Sequence, residues 1–263
     1  MRSEPVEHCP PPLRTFAAAH EGAVGQLRWN ADLARRYARP GTASGVAWGS
    51  GTLIARDLFL TAGHCFDRTG GRWLRPLDDR TGDVIGSAEI ATNMHVAFNY
   101  QLDPAGELRP THCYRIVELV EHRPGELDVA IVRLAGAPGA AWGVAELAPT
   151  GARPGEAVCL IGHPLGFTKH LVAGRCVAAS GTALRYLGAE TFEGSSGSGV
   201  LRISDGRLVG VHTNGRSSAG TSSGVCVSAL IARSPTLQLV GRAAAAGGTA
   251  ARPCPAPRSR RSP

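Results

Sequence analysis

The stretch VAWGSGTLIARDLFLTAGHC, residues 46–65, holds two short apolar runs, Gly51–Ala55 and Leu58–Ala62, with Arg56-Asp57 between them. Two such runs joined by two polar residues predict a β-hairpin. Similar short runs follow: CYRIVELVEH alternates, LDVAIVRL is a further strand, and GEAVCLIGHPLG stops at a Gly/Pro turn. HLVAGRCVAA comes next, and SGVLRI pairs with GRLVGVHTNG around Asp205-Gly206. SGVCVSALIARS ends in a short helical pattern. Strands at close spacing, one late helix and no βαβ alternation predict an all-β barrel or sandwich chain.

Composition agrees. In 263 residues, 34 glycines and 18 prolines against 5% aromatics favour strands and turns over long helices. Residues 1–44 have no steady period and read as an N-terminal extension or pro-segment, and residues 45–241 as the folded domain. Residues 242–263, which include ARPCPAPRSRRSP, read as a disordered basic tail. Much of the formal net charge of +7 sits in that tail, and Lys169 is the only lysine, so nucleic-acid binding is not expected. No apolar run is long enough to cross a bilayer, and the N-terminus lacks the apolar core of a secretory signal. Seven cysteines form no CxxC pair, so zinc is not expected, and the odd number leaves at least one unpaired within the chain.

The chemistry lies in three neighbourhoods. LTAGHC places His64 after an apolar strand, ELDVAIVRL places Asp128 at the mouth of another, and TFEGSSGSGV, residues 191–200, packs three serines among glycines. A serine hydroxyl is a weak nucleophile at neutral pH. It needs a base beside it, and that base needs a carboxylate to set its tautomer and stabilise the imidazolium. An α/β-hydrolase elbow does not fit, because that class runs Ser, Asp, His.

TAGHC, DVAIVRL and G-x-S-G-S, in this order over about residues 45–235, resemble the signature regions of the trypsin-like (chymotrypsin-fold) serine peptidases. The resemblance implies two six-stranded antiparallel β-barrels, about 45–143 and 144–241, with the active site between them. It implies His64 as base, Asp128 as its orienting partner and Ser196, in Gly-Ser-Ser-Gly, as nucleophile. The N–H groups of Gly194 and Ser196 would form the oxyanion hole. Ser198 is the alternative nucleophile. His95, in ATNMHV, echoes the HtrA-type branch and is a rival base without the Gly-rich hairpin; His163 reads as a turn residue. The implied partner is a protein or peptide substrate cut by a monomer without metal or cofactor. Secretion is what the family suggests.

For specificity, Thr191, His212 and HTNG resemble the glutamyl endopeptidase branch, in which a threonine and a histidine bind an acidic side chain. Glu190, six residues before Ser196, stands where trypsin carries its pocket aspartate and would select Arg or Lys instead. VAWGSGTLI, just ahead of the histidine motif, holds no cysteine to pair with Cys65 as in the digestive trypsins. Ser195 replaces the aspartate that accepts a freed amino terminus, so trypsin-style activation is not expected. The reading from another class is a catalytically silent relative that binds protein in the same cleft.

Overall fold

The computed structural model describes residues 2–215, 217 and 220–246. The first barrel closes in the order β2 (Val24–Trp29), β3 (Ala47–Leu53), β4 (Leu58–Ala62), β7 (Val129–Leu134), β6 (His112–Arg123) and β5 (Met94–Phe98). The second is built from β8 (Ala157–Gly162), β9 (His170–Ser180), β10 (Ala183–Leu187), β13 (Thr221–Cys226), β12 (Leu208–Asn214) and β11 (Gly199–Arg202), and the β8–β9 pairing closes it. All pairings within the barrels are antiparallel, as expected. The 51–62 hairpin forms, but its register is one residue off that of a two-residue Arg56-Asp57 turn: Gly51 lies opposite Thr61 and Leu53 opposite Phe59, with residues 54–57 as the connection.

Three apolar clusters divide the interior. Leu27, Trp29, Phe59, Phe98 and Val132 fill the first barrel, and Leu160, Tyr186, Val200, Val209 and Cys226 the second. A third, with Ile54, Leu60, Ile131, Ile161, Leu201 and Leu230, joins the two. Alternation sends one face of each strand inward, so β4, with neighbours on both faces, is buried throughout.

The boundary expected at residue 45 is corrected. Strand β2 lies between β3 and β5 and closes the first barrel, with Leu27 and Trp29 fully buried. Its pattern, VGQLRW, hides this role because Gln26 is buried without being apolar. Gln26 donates through Nε2 to the carbonyl of Gly166 at 3.0 Å, which satisfies the amide inside the protein. Gly25 carries no side chain because a Cβ there would sit 2.4 Å from Val96. Further upstream, β1 (Glu4–Pro5) adds to β9, and helix α1 (Pro11–His20) buries Ala17.

Lys169 explains how that segment is held. It is fully buried, and its ammonium donates to the Glu21 carbonyl at 2.6 Å. The Glu21 carboxylate also takes Arg14 at 2.9 Å and Gln101 at 2.9 Å. Burial pushes the Lys169 pKa down to about 8, partly countered by Glu21.

Short helices α2 (Ser87–Thr92) and α3 (Pro138–Trp142) fill connections in the first barrel. The expected late helix is α4 (Val227–Arg233), followed by a second, α5 (Pro235–Ala246), which takes up the start of the stretch read as tail. Residues 247–263, including Cys254, lie outside the described residues. The six described cysteines are all free thiols, Cys113 exposed and the others buried. No helix among the described residues is long and apolar enough to cross a membrane.

Candidate active site

His64 sits on a 3-10 turn, Gly63–Phe66, directly after β4, and Asp128 immediately precedes β7. Because β4 and β7 pair with Ala62 opposite Val129, the two residues meet at one end of the ladder. Asp128 Oδ2 lies 2.7 Å from His64 Nδ1, and Oδ1 accepts the His64 backbone N–H at 2.7 Å. A carboxylate can only accept, so Nδ1 carries the proton and Nε2 presents a lone pair. Gly63 makes this approach possible: a Cβ there would lie 3.0 Å from Val129 N and 3.2 Å from Asp128 Oδ1. Asp128 itself has φ 36°, a left-handed conformation that short polar side chains tolerate better than bulky ones. The Trp48 and His64 rings meet nearly at right angles, with ring centroids 6.4 Å apart.

The serine turn comes from the second barrel and docks on the first. Gly197, at φ 85°, lies so close to β3 and β4 that a Cβ would come within 2.1 Å of Thr61 Oγ1 and 2.2 Å of the Ser50 carbonyl. Ser50 is buried and ties the parts together. Its N–H donates to the Ser196 carbonyl at 2.8 Å and its hydroxyl to the Gly194 carbonyl at 2.8 Å. That hydroxyl in turn accepts from His163 N at 2.8 Å. Ser196 is thus held beside the Thr61–His64 segment.

The three serines differ in their surroundings. Ser195 and Ser198 are buried; Ser196 alone is half-buried. Ser198 Oγ faces Gly162, where a Cβ would come within 2.1 Å of it. In the same turn, the N–H groups of Ser195, Gly197 and Ser198 donate to Phe192, His212 and Ser195 carbonyls. Those of Gly194 and Ser196 have no acceptor among the described residues. Gly194 has φ 87°, and a Cβ there would meet the His163 carbonyl at 2.7 Å.

The sequence of residues 44–211 matches the trypsin-like peptidase domain family. The chain belongs to the trypsin-like peptidase family. Its fold is shared with a Glu endopeptidase solved in complex with MPD, at 17% identity, TM-score 0.55, over 86% of this chain and 91% of that one. It is shared equally with an inactive serine-to-alanine mutant of Rv3671c from M. tuberculosis H37Rv, at 17% identity, TM-score 0.55, over 89% and 94%.

In this trypsin-like peptidase, of the residues expected to bind substrate, His212 lies on β12, and Glu190 and Thr191 lie in the connection that follows β10. His212 is buried on β12, and its Nδ1 is hydrogen-bonded to the Tyr186 hydroxyl. Tyr186 stands opposite Ser222 in the β10–β13 ladder, and the Ser222 hydroxyl lies 3.4 Å from Thr191 Oγ1. Burial lowers the His212 pKa to about 4, with the nearby His64 acting in the same direction and a Ser223 backbone hydrogen bond against it. Glu190 is partly exposed and forms no ion pair among the described residues.

The rival histidines lie elsewhere. His95 is on β5, opposite Arg115, with Nδ1 bonded to Asn30 at 2.8 Å. His163 is fully buried, with Nδ1 3.1 Å from the Phe167 carbonyl and, among the described residues, no partner for Nε2. Sequence reasoning missed Ser50, Trp48, Tyr186 and Ser222. Their roles arise from contacts between strands far apart in the chain, and no local pattern marks them.

Proposed function

We propose that the protein is a serine endopeptidase in which Ser196 is the nucleophile, His64 the general base and acid, and Asp128 the residue that orients His64. The supporting observation is the Asp128 carboxylate held by both the backbone and the ring of His64, beside a turn whose Gly194 and Ser196 N–H groups are unengaged among the described residues. The Nε2 lone pair takes the Ser196 proton as Oγ attacks the peptide carbonyl. The two N–H groups receive the oxyanion, the leaving amine departs with the proton, and water hydrolyses the acyl-enzyme.

A preference for Glu, with Asp as a weaker ligand, before the scissile bond follows from His212 and Thr191. We assign the Tyr186 hydroxyl as donor to His212 Nδ1, which places the proton of a neutral His212 on Nε2, a donor suited to a substrate carboxylate. Glu190 favours the opposite charge, because its carboxylate is not neutralised among the described residues.

A fluorophosphonate should label the wild type and not Ser196→Ala. Absence of labelling in a folded wild type would replace this reading with a silent, ligand-binding relative. A peptide-library profile then separates the pockets: cleavage after Glu supports Thr191 and His212, and cleavage after Arg or Lys assigns the pocket to Glu190.

A further inference from the structure

Large apolar side chains stand exposed beside the serine turn: Leu165 at 54%, Phe167 at 56% and Phe192 at 44%. Solitary exposed hydrophobes are ordinary, but these three share one frame. The 3-10 turn Pro164–Gly166 leaves β8 and is fastened at nearly every polar backbone atom. Leu165 N donates to the Glu193 carbonyl, Phe167 N to Pro164, and Gln26 Nε2 reaches the Gly166 and Phe167 carbonyls at 3.0 and 3.3 Å. Leu165 adopts φ 54° and ψ 20°, a left-handed conformation that is strained for a branched apolar residue. The frame therefore holds Leu165 outward against both its backbone preference and its hydrophobicity.

Sheet order says which part of a substrate lies there. Strand β11, which begins just after Ser196, pairs with β12 on one side and β8 on the other. His212 lies on β12, whereas the Leu165 turn continues from β8. The two features therefore flank the serine turn on opposite sides, and Gly194, against the His163 carbonyl and Leu165 N, marks the crossing. A substrate with its preceding side chain toward His212 and its carbonyl at Gly194 and Ser196 must continue over the Leu165 turn.

We propose that Leu165 and Phe167, edged by Phe192, form an apolar platform that selects an apolar side chain in the substrate segment following the scissile bond. The proposal rests on the peptidase reading with Ser196 as nucleophile. The platform has the size of one or two substrate side chains, too small for a stable protein interface.

The test is cleavage of a proteome-derived peptide library, with residues read on both sides of each cut. The wild type should favour Leu, Ile or Phe over Gly or Asp after the bond by roughly tenfold, within the range that apolar contacts supply. In Leu165→Gly/Phe167→Ser that preference should fall to about twofold or less, while the profile before the bond stays the same. Glycine relieves the backbone at 165, so the variant keeps its fold. A substrate with an aminocoumarin leaving group, which has nothing to place on the platform, should be hydrolysed at the wild-type rate. Cuts without apolar enrichment, or enrichment that survives in the variant, overturn the platform and leave the peptidase reading standing. No cuts and no fluorophosphonate labelling overturn both.

Discussion

Asp128 holds His64 at two points: Oδ1 accepts the backbone N–H and Oδ2 the ring Nδ1–H, each at 2.7 Å. One contact sets the position of the residue and the other the tautomer of its ring.

Asp128→Asn should therefore keep the fold and lose the tautomer. Asparagine tolerates the left-handed backbone at this position and fills the same space. Its amide can donate toward Nδ1 and so favour the proton on Nε2, where a base is needed. Turnover should fall on the order of 10⁴-fold, the scale that the same exchange produces in trypsin. Steady-state kinetics with an unchanged melting temperature is the check; a loss under tenfold refutes the role of Asp128.

His212→Ala should cost acidic substrates far more than neutral ones. A site that hydrogen-bonds a substrate group discriminates through its own buried polar atoms, which are left unpaired by the wrong substrate. Rates for peptides with Glu, Gln and Ala before the bond measure this. Equal losses on all three would make His212 structural only.

Stability should fall as pH drops through the window from about 6.5 to about 4. His212 titrates near 4 when folded, against an ordinary histidine value of 6.5, so in this window the unfolded chain binds a proton that the folded one does not. The stabilisation, fully present above 6.5, is lost progressively, by about 3 kcal/mol for this residue. His163, pushed lower by burial and by Lys169, acts in the same direction. Urea titrations across the window should give a shallower fall for His212→Gln than for the wild type.

Gly197→Ala should damage the docking of the serine turn rather than its chemistry alone. The methyl would overlap Thr61 Oγ1 and the Ser50 carbonyl, and φ is 85°. Both are backbone or short-side-chain obstacles, so the cost should exceed about 3 kcal/mol. Thermal denaturation measures it, and a melting temperature within a degree of wild type would contradict the packing.

Removing residues 1–23 should unfold the second barrel. The cut takes away the Glu21 carbonyl and carboxylate and leaves the buried Lys169 ammonium without them. Leaving a buried ammonium without its carbonyl acceptor costs about 1–3 kcal/mol or more. A truncated chain that shows the same denaturation midpoint would return this segment to the status of an extension.

The hairpin at 51–62, the strand LDVAIVRL and the serine turn were legible in the sequence because their information is local. Alternation makes a strand, and glycines make the sharp turns at 194 and 197. The order of His64, Asp128 and Ser196 was equally legible, and with it the peptidase family. Strand β2 was not, because its buried glutamine finds its acceptor 140 residues away, at Gly166. The burial of Ser195 and Ser198 beside a half-buried Ser196, the Tyr186 hydroxyl on His212 and the Ser50 bridge also needed the assembled barrels. Burial and hydrogen-bond partners are properties of the surroundings, and here the surroundings come from strands far apart in sequence. What residues 46–65 and 191–200 determined alone was where the chain bends and which chemical groups it offers. Which of those groups are exposed, paired or held neutral was decided only when two barrels closed against each other.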